Sequence, residues 1–341
     1  MAPPLKIGIA GLGTVGAGVV RMLTRRAEAI AARVGRPVEV VAVSARDRSR
    51  NRDCDLTGLR WYDDAVELAR DPDIDVFVEL IGGPDGIAKT AVEAAIAAGH
   101  SIVTANKALL AHHGVELARS AEAAGVAIHF EAAVAGGIPV IKTLREALLG
   151  NEIARVSGIL NGTCNYILST MEDTGRDFAD VLAEAQAKGY AEADPTFDID
   201  GIDAAHKLSI LASVAFGTAV DFKSVIATGI RRVLAADIAQ ADALGYYIRL
   251  IGMAETEVDA DGNRRLFQRV HPHLVHRDHP LAHVDGATNA VVVEGNFAGP
   301  LLFQGAGAGD GPTASAVVAG ADVRTALITF GVDASHGYER I

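Results

Sequence analysis

Cysteine is scarce in this chain of 341 residues: there are two, Cys54 and Cys164, in unrelated contexts. They imply no disulfide framework, which suits a reducing, cytoplasmic compartment. Positive charge is also in deficit. Lys and Arg number 31 against 43 Asp and Glu, a formal net charge of −12. That balance argues against a nucleic-acid surface. Long apolar runs are missing as well. The longest charge-free apolar run around Lys207, residues 208–220, is too short to cross a bilayer. A strand pattern starts within a few residues of Met1, so no signal peptide is expected. The chain has no internal repeat, low-complexity tract or long linker.

What is present fits a two-domain enzyme. The length allows two domains, and half of the residues are hydrophobic, enough for sizeable cores. Residues 6–10 form a short apolar strand that runs into Gly11-Leu12-Gly13-Thr14-Val15-Gly16, a complete G-x-G-x-x-G. A helical stretch over 19–34 follows. Strand, tight glycine turn and helix are the context that dinucleotide binding requires. Gly11 permits the turn, Gly13 lets the backbone approach a pyrophosphate, and Gly16 lets helix and strand pack closely. The helix N-terminus turns its free N–H groups to the phosphates. After the second strand, 38–43, come Ser44-Ala45-Arg46-Asp47-Arg48. Arg46 and Arg48 can bind a 2′-phosphate and Ser44 can donate to it, whereas Asp47 favours a ribose hydroxyl. The balance leans to NADP, with NAD still open. A charged, solvated loop is the bland reading.

Strands over 76–81 and 101–104 and helices over 87–98 and 115–124 continue the alternation to about residue 135. It predicts an α/β fold, a Rossmann-type doubly wound parallel sheet. After Pro139 the rhythm changes. Strand-like 153–160, several helices, and strands near 246–253, 266–270 and 290–294 predict a mixed α+β substrate and dimerisation domain. The boundaries expected are 1–135 and 136–311. A last helix, about 312–341 with its core at 313–327, is expected to pack back on the first domain.

The segment Lys188-Gly189-Tyr190-Ala191-Glu192-Ala193-Asp194-Pro195, followed by Asp198, Asp203 and Lys207, sets carboxylates and a turn before a lysine in an apolar helix. Asp203 and Lys207 stand four apart and share a helix face. A lysine there is costly to desolvate unless paired. It is either a salt-bridged core residue or a proton donor with a lowered pKa. For Glu192 and Asp203 the plain alternative is caps and surface pairs. Asp194 before Pro195 is a common turn pattern. His271, Pro272 and His273 with His276, His279 and His283 match no zinc spacing and read as a loop. Cys164 has no histidine base placed nearby by sequence and reads as a small packing residue.

Six motifs, in order, carry a likeness to a family. They are the glycine fingerprint; Val78-Glu79-Leu80-Ile81-Gly82-Gly83; Thr104-Ala105-Asn106-Lys107-Ala108-Leu109; residues 158–168, with Leu160-Asn161-Gly162-Thr163-Cys164 at their centre; residues 188–207; and Gly305-Ala306-Gly307-Ala308-Gly309 with 312–317. In these the sequence resembles homoserine dehydrogenase across nearly its whole length. The resemblance implies reversible NAD(P)H-dependent reduction of L-aspartate 4-semialdehyde to L-homoserine. It gives Lys207 the role of general acid and Asp203 that of its partner and a substrate contact. Glu192 would hold the substrate ammonium, with Asp198, Thr163 and Tyr190 also on the substrate. Lys107, after the fourth strand of this reading, would sit by nicotinamide and substrate; otherwise it merely starts a helix. Gly11, Gly13, Thr14, Val15, Gly16, Arg46, Leu80, Gly82, Thr104, Ala105 and Gly309 would contact the cofactor. Glu131, Val134, Gly136 and Ile138 match a sodium-binding turn. A homodimer or homotetramer is implied, with an interface at 140–149 and the strand 290–294.

The chain departs from the family pattern at Ala193, where proline is usual, at Ala205-His206 before Lys207, and at Pro84-Asp85-Gly86-Ile87. It ends at Ile341, so the regulatory domain of many bacterial relatives is not expected, nor inhibition by millimolar threonine. Two other functions stay open: an acylating semialdehyde dehydrogenase using Cys164, and a non-catalytic NADP-binding regulator.

Overall fold

The computed structural model describes residues 2–258, 261 and 263–321. Two compact units divide the chain: Met1–Pro139 with 308–321, and Val140–Gly307. The first is built on a six-stranded sheet. Its strands are β1 (Leu5–Ala10), β2 (Val38–Ser44), β3 (Arg60–Tyr62), β4 (Val76–Glu79), β5 (Ser101–Thr104) and β6 (Ile128–His129), in the order β3-β2-β1-β4-β5-β6. Every pairing is parallel. A parallel sheet covered on both faces needs continuous apolar strands rather than alternating ones. Ile9, Val76, Phe77 and Val78 are accordingly buried to within 0% exposure. Each such side chain contributes ~1.5–3 kcal/mol.

Three details differ from the sequence reading. The three residues of β3 are too few to display a strand period, and with them the strand before Lys107 is the fifth. The helix expected at 19–34 is two, Thr14–Arg25 and Ala27–Val34, because Arg26 leaves helical geometry at φ −117°, ψ 17°. The helix expected at 115–124 begins eight residues earlier and spans Lys107–Ala124. Asn106 starts it by accepting the Leu109 N–H at 3.1 Å, a cap that hydrophobic periodicity does not reveal. The helix Asp310–Gly320 contributes Ala314 and Val317 to the core of this unit, packed with Val19 and Val20 of the first helix. The remainder of the expected 313–327 helix, and 322–341 as a whole, lie outside the described residues.

The second unit has a mixed sheet. Its strands are β7 (Ile153–Ile159), β8 (Ile226–Ala227), β9 (Tyr246–Val258), β10 (Arg264–His276), β11 (Thr288–Gly295) and β12 (Gly299–Ala306), in the order β12-β11-β7-β9-β10-β8. The helix Ile202–Phe216 carries Leu208 against Gly252 of β9. His271, His273 and His276 belong to β10, not to a loop. Pro272 is tolerated because β8 pairs β10 only at Arg269 and Val270, leaving an edge at the proline. The His271 and His273 rings stack at 3.9 Å. The strand around 290–294 is interior, between β7 and β12, with Ala290, Val291 and Val293 fully buried. The edges are β8 and β12, and on β12 Leu302 is 42% exposed. The helix expected at 140–149 is a short turn, Val140–Lys142, that widens into a π-helical turn, Thr143–Ala147.

Candidate active site

In the first unit, β1 ends in a glycine turn whose geometry only glycine permits. Gly11 has φ +100°, and a Cβ on it would lie 2.4 Å from the Leu80 carbonyl oxygen. A Cβ on Gly16 would lie 2.0 Å from the Gly11 oxygen. At Gly13 a Cβ would meet nothing, so the backbone there faces open space. That space is a cavity of about 830 Å³, lined by Gly11, Gly13, Ser44, Arg46, Leu80 and Gly82, among others. Thr14, Val15 and Gly16 form the first turn of the helix that follows. A dinucleotide pyrophosphate fits such a turn: close backbone, helix N-terminus, no side chain in the way.

The loop after β2 supplies the positive charge. Arg46, Arg50 and Arg52 all line the cavity. Arg52 is fixed: its Nε donates to the Leu12 oxygen at 3.1 Å and Nη1 to the Arg50 oxygen at 2.7 Å. Arg48 lies over the Trp61 ring at 5.5 Å rather than on the cavity wall. Asp47 is engaged by Ser49, whose N–H and Oγ donate to its Oδ1 at 2.8 and 2.6 Å. Those bonds hold its carboxyl below the usual range.

The ends of β4 and β5 complete this side. Thr104 is buried at the end of β5, Ala105 follows, and Lys107 is the first residue of its helix. Gly309 precedes the helix Asp310–Gly320 with φ +127°. Glu131, Val134, Gly136 and Ile138 lie on one stretch, a 3₁₀ turn at Glu131–Ala133 followed by a bend and a turn. Ala135 and Gly136 there are both left-handed, at φ 55° and 52°. Glu131 is 5% exposed and Val134 fully buried. Main-chain oxygens and a carboxylate are the ligand types that hard cations take.

In the second unit, Lys207 is 8% exposed. Its Nζ donates to Asp203 Oδ2 and to the Leu160 carbonyl oxygen, both at 2.7 Å. Asn161 ties this pair to the preceding turn. Its Nδ2 donates to Asp203 Oδ2 and to Asp198 Oδ1, each at 2.8 Å, and its Oδ1 accepts the Cys164 N–H at 2.8 Å. Burial pushes the Asp198 carboxyl up, against the opposing bond from Asn161. Thr163 donates to the Tyr190 carbonyl at 2.8 Å. The Tyr190 ring lies 4.6 Å from that of Tyr166, and hydrogen bonds from Lys188, Arg176 and Tyr166 lower the Glu184 pKa to about 2. Glu192 is exposed beside them, with its carbonyl accepting from Gln186.

The fold thus gathers Lys207, Asp203, Asp198 and Thr163 around Asn161, a residue the sequence reading gave no role. Its signal was available: an asparagine before Gly162-Thr163, capping the helix that follows β7. Asp194 caps Thr196 and Asp200 pairs with Arg231, both structural tasks. Cys164 is fully buried, and burial raises its thiol well above the ordinary value. Its Sγ donates to the Asp198 main-chain carbonyl oxygen at 3.2 Å. A protonated, buried thiol is not an acylation nucleophile.

Residues 139–322 match the model of the homoserine dehydrogenase family, and residues 11–131 match that of the homoserine dehydrogenase NAD-binding domain. The chain belongs to the homoserine dehydrogenase family. It is 52% identical to the homoserine dehydrogenase of Pseudomonas aeruginosa, over 93% of this chain and 71% of that protein. It is 49% identical to that of Mycobacterium tuberculosis, over 92% and 70%. Among solved structures, a homoserine dehydrogenase from Thiobacillus denitrificans superposes with a TM-score of 0.89 at 48% identity, over 94% of this chain and 74% of that one. A hyperthermophilic archaeal homoserine dehydrogenase in complex with NADPH gives 0.78 at 28%, over 96% and 99%. The protein is therefore an oxidoreductase with an NAD(P)-binding domain. Among its described residues no helix is long and apolar enough to cross a membrane.

Proposed function

We propose that the enzyme reversibly reduces L-aspartate 4-semialdehyde to L-homoserine with NADPH, in the cytoplasm, as a step towards threonine, methionine and isoleucine. The observation that carries this is Lys207, buried and held by Asp203 and the Leu160 carbonyl within the family's catalytic domain. Bound NADPH supplies the hydride. Charge then develops on the aldehyde oxygen, and the Lys207 ammonium stabilises that oxygen and protonates it. Asp203 favours the charged form of Lys207 and orients it. In the reverse direction the same amine takes the proton back.

Glu192, exposed and acidic, receives the substrate ammonium. Asp198, Thr163 and Tyr190 complete the substrate's surroundings. Lys107 is assigned the second ammonium near the reacting groups. Gly11, Gly13, Thr14, Val15, Gly16, Leu80, Gly82, Thr104, Ala105 and Gly309 receive the cofactor, and Arg46 its 2′-phosphate. The turn of Glu131, Val134, Gly136 and Ile138 suits a sodium ion, whose role there is to hold the turn. The domain division proposed is 1–135 for the dinucleotide and 136–311 for substrate and dimerisation, with a homodimer or homotetramer as the working form.

The test follows NADPH absorbance with aspartate semialdehyde and with homoserine in reverse. Lys207→Ala is expected to lower kcat by at least ~10²-fold while NADPH still binds normally. A variant keeping more than about a tenth of the wild-type kcat would remove the general-acid role. Cys164→Ser serves as the control for acylation chemistry: its activity is expected to persist without phosphate.

A further inference from the structure

Glu79 closes β4 with its side chain 0% exposed, and none of the roles assigned above uses it. A buried carboxylate is costly unless its oxygens are satisfied. Here they are, by donors from two different loops. Oε1 accepts the N–H of Ile81 at 2.8 Å and of Gly82 at 3.0 Å. Oε2 accepts the Thr104 hydroxyl at 2.6 Å. That hydroxyl in turn accepts the Asn106 N–H at 2.9 Å. The Asn106 side chain donates to the Gly83 oxygen at 2.7 Å and caps the helix that Lys107 begins. The circuit runs from the cofactor-cavity loop at Ile81 and Gly82, through one carboxylate, to the turn that presents Lys107, and back at Gly83.

We infer that Glu79 is a positioning residue: its two oxygens lock the 81–83 loop and the Thr104–Lys107 turn into a single arrangement for the reaction. The inference rests on the proposed homoserine dehydrogenase activity for its kinetic readout. The chemistry of the acceptor explains why glutamate stands here. Carboxylate oxygens accept, and each partner brings a proton: two main-chain N–H groups, and a hydroxyl whose oxygen already accepts the Asn106 N–H. Glutamine has the same shape but carries an NH₂. With its oxygen turned to Thr104, the NH₂ faces the Ile81 and Gly82 N–H groups, which lose their acceptor; with its oxygen turned to the loop, the NH₂ faces the Thr104 oxygen, and the hydroxyl proton loses the acceptor it has now.

The experiment is a double-mutant cycle of Glu79→Gln with Lys107→Met, read as kcat, together with the NADPH Kd from fluorescence. On the wild-type background Glu79→Gln is expected to lower kcat by ~10- to 10²-fold, the scale of a small misplacement of reacting groups. On the Lys107→Met background the same change is expected to cost far less, because the group it positions is already gone. The NADPH Kd is expected to rise several-fold. The same fractional loss of kcat on both backgrounds would overturn the inference, since a purely structural defect does not depend on Lys107. If Glu79→Gln does not fold, Thr104→Val, which removes the hydroxyl in the middle of the circuit, takes its place in the cycle with the same criteria. If the wild-type enzyme turns over neither substrate, the functional reading fails separately. The NADPH Kd then decides for Glu79: a rise supports the inference and an unchanged value rejects it.

Discussion

Asn161 shows how much one uncharged side chain can organise. Its amide bridges two carboxylates, Asp198 and Asp203, while its oxygen caps the helix Gly162–Thr174. Asp198 feels the like charge of Asp203 and the opposite charge of Lys207, so the amide bridge sits within one charged cluster. Asp203 and Lys207 were legible in the sequence because a four-residue spacing is a helical contact. The cap at Asn161 was legible too, but its reach to Asp203 and that of Lys207 to the Leu160 carbonyl were not, because these contacts span 42 and 47 residues of chain. The cofactor arginines show a different limit. The sequence placed Arg46 and Arg48 together, yet Arg48 lies over Trp61 while Arg46, Arg50 and Arg52 line the cavity. Arg46→Ala is therefore expected to weaken NADPH more than NADH, by about 1.5–3 kcal/mol for a charge-assisted bond. Binding titrations with both cofactors check this, and equal losses would return Arg46 to the solvated surface.

At the scale of elements, the glycine turn behaves as its spacing demands, since a Cβ at Gly11 or Gly16 collides with main chain. The junction between the helix Ile87–Ala97 and β5 carries a less visible feature. His100 sits there with 7% exposure, and burial lowers its pKa, outweighing the opposing pull of Asp71 and Asp75. Its folded-state pKa is below the unfolded one. As pH falls through ~6.5, the unfolded chain takes up a proton that the native form still refuses. Stability attached to this residue is therefore complete above that pH and declines below it. Urea unfolding of the wild type and of His100→Gln, between pH 7.5 and 5, should show the variant losing less stability over that range. Parallel slopes for the two proteins would mean that other groups govern the acid limb.

For the whole molecule, the correction at β11 moves the question of assembly. The sequence suggested that its apolar run was an edge needing a partner, but the strand is interior and already covered. Exposed apolar groups of the second unit lie elsewhere: Leu149 is 73% exposed, Phe297 82% and Leu302 42%. Asn151 Oδ1 accepts the N–H groups of Phe297 and Ala298, so the turn carrying Phe297 is fixed rather than loose. Phe297 is therefore the residue at which the proposed assembly is tested. Light scattering at micromolar concentration should give at least a dimer, and Phe297→Asp should shift the population towards monomer. A wild-type protein that runs as a monomer would remove the proposed assembly.

The sequence by itself determined the parallel α/β unit, its nucleotide-binding turn, the family, and the pairing of Asp203 with Lys207. Each of these depends on short-range spacing: a glycine that must adopt positive φ, apolar residues with the period of a strand, two charges one helical turn apart. Only the tertiary structure decided the rest. It placed the histidines of β10 on a strand rather than a loop, because an edge tolerates Pro272. It buried Cys164 beside Asp198, which keeps the thiol protonated. It brought Asn161 to two carboxylates and Glu79 to two loops. Those contacts join residues far apart in the chain, and hydrogen-bond complementarity between distant segments has no period for a sequence to display.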